Sequence, residues 1–114
     1  MTGNLKVTII DMKKLIKIDR RAEKELNSFS DKVKIKFRGL IEILMSEGRL
    51  EYPNGKKIEN NLFEIRIKVG GIYRGLYAYL VGDVIIILHF FNKKSQKTPA
   101  KDIKVSEKRL KDYE

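Results

Sequence analysis

Leu62-Phe-Glu-Ile-Arg-Ile-Lys-Val69, Gly70-Gly71, Ile72-Tyr-Arg-Gly-Leu-Tyr-Ala-Tyr-Leu80, Gly82-Asp83 and Val84-Ile-Ile-Ile-Leu-His-Phe-Phe91 make up the part of the chain whose reading decides the fold. In the first segment Phe63, Ile65, Ile67 and Val69 alternate with Glu64, Arg66 and Lys68, the period-two pattern of a half-buried strand with one polar face. Gly70-Gly71 supplies a hairpin turn. The next segment puts Tyr73, Tyr77 and Tyr79 on one parity and Arg74, Leu76 and Ala78 on the other. Gly82-Asp83 turns the chain again into Val84–Phe91, a continuously apolar run and so a central strand covered on both faces. Three strands with short turns make an antiparallel meander.

Toward the N-terminus the pattern is helical. Leu15-Ile-Lys-Ile18 reads as a short strand ending at Asp19, which can cap a helix by accepting from its free N–H groups. Ala22, Leu26 and Phe29 then recur at i, i+4, i+7. Ser28-Phe-Ser-Asp31 offers a second start. Val33, Phe37, Leu40, Ile41 and Leu44 form a longer stripe, with Lys32, Lys34, Lys36 and Arg38 mostly off it and Gly48 as the stop. Two helices so close in sequence are expected to form an antiparallel hairpin. Tyr52-Pro-Asn-Gly55 is turn chemistry. Beyond the meander, Thr98-Pro99 reads as cap and first position of a last helix, with Ile103 and Leu110 on its buried side. Leu5–Ile10 is a possible strand in an N-terminal extension, residues 1–12, ahead of one domain, 13–114. The outline is β-α-α-β-β-β-α, an α+β fold.

Composition narrows the chemistry. The 114 residues include no cysteine and one histidine, His89; disulfides, thiolate zinc sites and cysteine nucleophiles are excluded, and no metal or other cofactor is expected. The longest apolar run falls far short of a membrane helix, and the first residues carry no apolar export segment, so the cytoplasm is the expected compartment and no membrane partner is. Twenty-five Lys and Arg against fifteen Asp and Glu give a net charge of +10. Such a field attracts polyanions, nucleic acid first.

Arg66 and Arg74 sit inside strands, where an arginine usually points to solvent or pairs with a carboxylate. Lys93-Lys94 follows the buried strand directly, with Lys97 just beyond; a basic cluster at the end of a core strand stands on a rigid platform. His89 is either a satisfied core histidine or an acid–base group. Register bears on the arginines. A two-residue turn at Gly70-Gly71 points Arg66 and Arg74 to opposite faces, whereas a three-residue loop or a bulge at the glycines sets them directly opposite each other on one face. Like charges so opposed repel unless an anion lies between them, so a shared face favours a phosphate site. Carboxylate pairs, a Ser-His-Asp set and phosphate-binding glycine loops are absent. A toolkit of Arg and Lys, with His or Tyr beside them, suits phosphodiester cleavage by a neighbouring hydroxyl, which RNA supplies in its 2′-OH.

Four segments taken together, Leu62-Phe-Glu-Ile-Arg66, Gly71-Ile-Tyr-Arg74, Ile87-Leu-His-Phe-Phe-Asn-Lys-Lys94 and Ser95-Gln-Lys-Thr-Pro99, resemble the RelE/ParE toxin superfamily, and within it the phage-derived, HigB-like branch. Upstream, Leu15–Ile18 followed by Asp19-Arg-Arg-Ala-Glu-Lys-Glu-Leu26 is similar to the first strand and helix of RelE-type toxins. The resemblance runs from about residue 13 to 113.

It implies a RelE-like, microbial-RNase-like fold, with an N-terminal helical hairpin packed on a twisted antiparallel sheet and a C-terminal helix. It also implies the toxin of a type II toxin–antitoxin pair: a metal-independent, ribosome-dependent mRNA endoribonuclease silenced by a cognate, acidic antitoxin. By position, Arg74 and Lys94 would meet phosphate and transition-state charge, and Arg66 the scissile phosphate or a proton in transfer. Lys68 and Lys93 would hold RNA backbone, with Lys97 and Tyr73 beside them, and His89 or Lys94 would be the base. Two positions depart from the pattern. Ala100 stands where many such toxins carry a C-terminal tyrosine, with Tyr113 too far along to replace it, and Glu64 stands where some have a lysine. The alternatives are a ParE-like inhibitor of DNA gyrase without nuclease activity, against which Lys93-Lys94 argues, or an inactive phage-derived remnant. Oligomeric state stays open.

Overall fold

The computed structural model describes residues 14–94 and 96–114; the possible strand at 5–10 lies outside them. The order is β1 (Leu15–Ile18), α1 (Arg20–Asn27), α2 (Asp31–Glu47), β2 (Gly55–Glu59), β3 (Leu62–Lys68), β4 (Ile72–Leu80), β5 (Val84–Asn92) and α3 (Ala100–Leu110), followed by a 3-10 turn at Lys111–Tyr113. The signals of the first two helices act as read. Asp19 accepts from the N–H groups of Arg21 and Ala22, and Ser30 from that of Val33. Gly48 ends α2 at φ 82°, a left-handed conformation that costs glycine little, and its N–H donates to the Leu44 carbonyl.

The strands form one sheet in the order β1-β5-β4-β3-β2. The meander is there, with two additions. Gly55–Glu59 is a further antiparallel strand on the β3 edge, and β1 pairs with β5 in parallel. With β1 on one side and β4 on the other, β5 is interior, and Ile85 through Phe91 are buried as its unbroken apolar run requires.

Each face of the sheet carries its own apolar cluster. Ala22 and Leu26 of α1 and Val33, Phe37, Ile41 and Leu44 of α2 pack on Ile65, Ile67, Tyr77, Ile85, Ile87 and Phe90. The Phe37 and Phe90 rings meet edge to face at 4.8 Å; losing a fully buried ring of this kind costs about 3–5 kcal/mol. Leu62, Leu76, Ala78, Ile86, Leu88 and Phe91 make the opposite cluster, covered by the half-buried Ile103, Leu110 and Tyr113. The innermost residues of α3 are polar, Asp102 and Ser106.

Asp102 meets β5 at His89, beside a bulge. Leu76 pairs with His89 and Tyr77 with Ile87, which leaves Leu88 as an extra residue in β5. The parallel pairing with β1 ends at Ile87, so the β5 backbone beyond it needs other partners. Arg109 donates to the Leu88 carbonyl at 2.8 Å and the Phe90 N–H donates to Glu25 at 3.1 Å, while Arg109 and Glu25 pair at 3.0 Å. One ion pair thereby fastens α1, α3 and the bulge together.

Candidate functional site

Lys68 pairs with Ile72 and Arg66 with Arg74, so Val69-Gly70-Gly71 is a three-residue loop and the two arginines face each other on one side of the sheet. Repulsion between them is relieved from within. Arg74 is fully buried, its Nε 3.4 Å from the buried Glu64 carboxylate, and its Nη1 and Nη2 donate to the carbonyls of Lys97 and Gln96 at 3.3 and 3.2 Å. Thr98 donates its hydroxyl to the same Glu64 at 2.8 Å. Thr98 is therefore not the cap of α3; Pro99 occupies that position without a side-chain bond. Burial pushes the Arg74 guanidinium below its ordinary value. Glu64 pulls it back up, the facing Arg66 depresses it further, and Asp102 raises it.

Arg66 has the opposite environment. It is only half-buried and lines a cleft of about 300 Å³ together with Lys56, Lys97, Gln96, Glu64 and the Tyr52-Pro53 turn. Its Nε is buried and has no hydrogen-bond partner among the described residues. The carboxylate of the cleft, Glu64, is already committed to Arg74 and Thr98, and the basic residues of the lining are Lys56, Arg66 and Lys97. A buried guanidinium nitrogen without an acceptor beside two lysines is suited to an oxyanion, which offers the acceptor the protein does not.

The other residues expected at a site are spread over the molecule. Lys93 and Lys94 are exposed just past β5 and do not line the cleft. Lys68, at the end of β3, is exposed and lines a groove with Gly39 and Leu40 of α2. Tyr73 lies on the helix-covered face, against Phe29 at 5.0 Å, and is not brought to Arg66. His89 is buried between two carboxylates, with Nδ1 3.0 Å from Glu25 and Nε2 2.7 Å from Asp102. Burial alone would lower its pKa; Glu25 and then Asp102 outweigh burial and raise it above the usual histidine value. Burial likewise opposes ionisation of Glu25, but hydrogen bonds from His89 and Arg109 bring its pKa down to about 2. A charged imidazolium locked by two acceptors is a tie between α1, β5 and α3. Tyr113 donates to Asp19 at 2.6 Å, at the start of α1.

Sequence reasoning passed over Lys56, Tyr52 and Gln96. Lys56 was hidden because Gly-Lys-Lys-Ile-Glu59 has one apolar side chain and so no alternation to read. Among the described residues no group of three or more His, Cys, Asp or Glu side chains is placed to hold a metal ion, and no helix is long and apolar enough to cross a membrane.

Solved structures with the same fold include three RelE proteins. A doubly substituted E. coli toxin RelE in the free state superposes with a TM-score of 0.67 at 18% identity, covering 87% of this chain and 99% of that one. The archaeal RelE–RelB complex of Pyrococcus horikoshii OT3 gives 0.56 at 26% identity, over 75% and 99%. The toxin–antitoxin complex RelBE2 of Mycobacterium tuberculosis gives 0.55 at 16% identity, over 74% and 100%. No curated protein sequence matches the chain. The RelE-like fold expected from the sequence is thus the fold observed. The family model of the phage-derived Gp49-like proteins (DUF891) matches residues 24–111, and the chain belongs to that family.

Proposed function

We propose that this protein is the toxin of a type II toxin–antitoxin pair and that it cuts mRNA on the ribosome at the Arg66 cleft. The observation that carries the reading is Arg66, whose buried Nε has no hydrogen-bond partner among the described residues, lining a cleft with Lys56 and Lys97 on the sheet of a RelE fold. Two of the similar folds were solved as RelE–RelB or toxin–antitoxin complexes, which supports a cognate antitoxin as partner. With a net charge of +10, the surface favours an acidic one.

In this reading Arg66 binds the scissile phosphate, with Lys56 and Lys97 sharing the charge that grows on its non-bridging oxygens. The 2′-oxygen attacks phosphorus, the P–O5′ bond breaks, and a 2′,3′-cyclic phosphate and a 5′-hydroxyl result. The proton lost by the 2′-OH is balanced by one gained at O5′. The nucleophile belongs to RNA, so the scheme needs no metal-activated water. Arg74 is a positioning residue: through the carbonyls of Gln96 and Lys97 it holds the loop that carries Lys97 against the strand that carries Arg66. Lys93 and Lys94, outside the cleft, grip neighbouring phosphates of mRNA or ribosomal RNA.

The burial of Arg74 and His89 favours a second reading, a chain of this fold that binds a target such as gyrase without cutting RNA. The two separate in a cell-free translation reaction in which mRNA ends are mapped by primer extension. Ribosome-dependent cuts that disappear with Arg66→Ala support the nuclease. Intact mRNA from folded protein, together with inhibited DNA supercoiling, supports the second reading.

A further inference from the structure

Tyr52 is 81% exposed, among the most exposed large apolar side chains in the described residues. A single exposed ring needs no explanation by itself. This one differs because of how it is held. The Asn54 carbonyl accepts from the Arg66 N–H at 2.9 Å, and the Asn54 side chain donates to the Arg66 carbonyl at 3.0 Å. The turn is thus bonded in both directions to the residue at the centre of the cleft. Its two ends are closed by Gly55 N–H to the Glu51 carbonyl at 2.8 Å. Gly55 packs so tightly there that a Cβ would stand 2.4 Å from the Leu50 carbonyl oxygen. Tyr52 and Pro53 then form a wall of the cleft, which Lys56, Glu64, Arg66, Gln96 and Lys97 complete.

We propose that Tyr52 is a nucleobase-stacking platform: when Arg66 holds a phosphate, the aromatic face of Tyr52 receives the base of an adjoining nucleotide. The inference rests on the reading of the cleft as an RNA site and adds to it the subsite that takes a base rather than a phosphate. The chemistry fits a single-stranded ligand. Cations track a backbone without regard to what it carries, whereas a planar ring beside them selects polyanions that bear bases. A splayed single strand can present base and phosphate to one cleft, which a stacked duplex cannot. Tyrosine also brings a large contact area with few rotatable bonds to freeze, and a turn bonded at both ends adds little ordering cost.

The test uses the full chain and two probes: a fluorescein-labelled, 2′-O-methylated 12-nucleotide single-stranded RNA, which cannot be cut by its own 2′-oxygens, and inorganic polyphosphate. Tyr52→Ala is expected to weaken RNA binding by about tenfold to a hundredfold, the range of one base–aromatic stack, and to leave polyphosphate binding within about twofold. Tyr52→Phe is expected to keep both. The chain contains no tryptophan, so Tyr52→Trp makes a lone reporter whose emission RNA should quench and polyphosphate should not. Equal RNA binding by Tyr52→Ala and the wild type overturns the platform and leaves the basic cleft standing. Equal loss of both probes overturns it too, because the ring then serves only the shape of the turn. If the wild type binds neither probe, the RNA reading of the cleft fails and the platform fails with it.

Discussion

Replacing Glu64 with Gln removes one charge from the centre of the molecule and leaves the shape nearly unchanged. In the native chain the carboxylate is 3.4 Å from the Arg74 Nε, with both residues almost wholly buried. At an effective dielectric constant near 20, unit charges that close attract by about 5 kcal/mol. Part of this survives in Glu64→Gln, because the amide oxygen still accepts from Thr98, and Arg74 keeps its bonds to the carbonyls of Gln96 and Lys97. Against that, Arg74 would stay a buried cation with Arg66 directly across the strand pair and would lose the attraction of Glu64. Breaking a buried pair from one side typically costs 3–5 kcal/mol, and the retained bonds place this one near the lower end, at about 3 kcal/mol. With a urea dependence of roughly 1.5 kcal/mol per molar for a domain of this size, the unfolding midpoint should fall by about 2 M. Circular dichroism in urea measures it. Glu64→Leu combined with Arg74→Met should recover at least half the loss, since an apolar pair of similar volume carries no desolvation penalty. A Glu64→Gln midpoint within about 0.3 M of wild type would refute the argument, as would a double variant no more stable than the single one.

Stability should also depend on pH in a defined way. Glu25 titrates at about 2 in the folded chain against an ordinary 4.5, so its contribution is present above pH 4.5 and lost as pH falls toward 2. His89 titrates above its ordinary 6.5, so its contribution is full below pH 6.5 and lost as pH rises through the folded value. Tm should therefore be highest between about pH 4.5 and 6.5, and His89→Gln should flatten the alkaline side; a wild-type Tm that climbs from pH 6.5 to 8.5 would contradict the network. Gly39→Ala should stabilise the fold by about 0.5–1 kcal/mol by thermal or urea melting, because the site is inside α2 and an added Cβ meets nothing within 4 Å. Gly55→Ala should do the reverse, costing about 2 kcal/mol or more from the clash with Leu50, and should weaken RNA binding by releasing the Tyr52 turn. Unchanged stability of Gly55→Ala would show that the turn yields easily.

The elements that were legible in the sequence are those with a period or a cap. Phe63 through Val69, the Val84–Phe91 run, and Asp19, Ser30 and Gly48 state their structure locally. β2 was not legible, since Gly55–Glu59 is an edge strand whose lysines face outward and whose existence depends on β3 beside it. The partner of Arg74 was equally hidden. Parity placed Glu64 on the polar face of its strand, and only the tertiary fold turns that face inward under the loop at 96–98. The two arginines do share a face across a three-residue loop, but the repulsion that favours an outside anion is already met for one of them by Glu64. In the sequence His89 reads as structural or catalytic. Its two carboxylates come from α1 and α3, 64 residues upstream and 13 downstream, and no local pattern links them.

The reaction proposed for the Arg66 cleft is RNA cleavage through the substrate's own 2′-oxygen. The most direct measurement is the chemistry of the cut ends, taken from ribosome-programmed mRNA once the cleavage position is mapped and repeated with a single 2′-O-methyl group at that nucleotide. That reaction leaves a 5′-hydroxyl on the downstream fragment, a 2′,3′-cyclic phosphate on the upstream one, and the methylated message uncut. A 5′-phosphate with a 3′-hydroxyl, or unimpaired cutting of the methylated message, would contradict it.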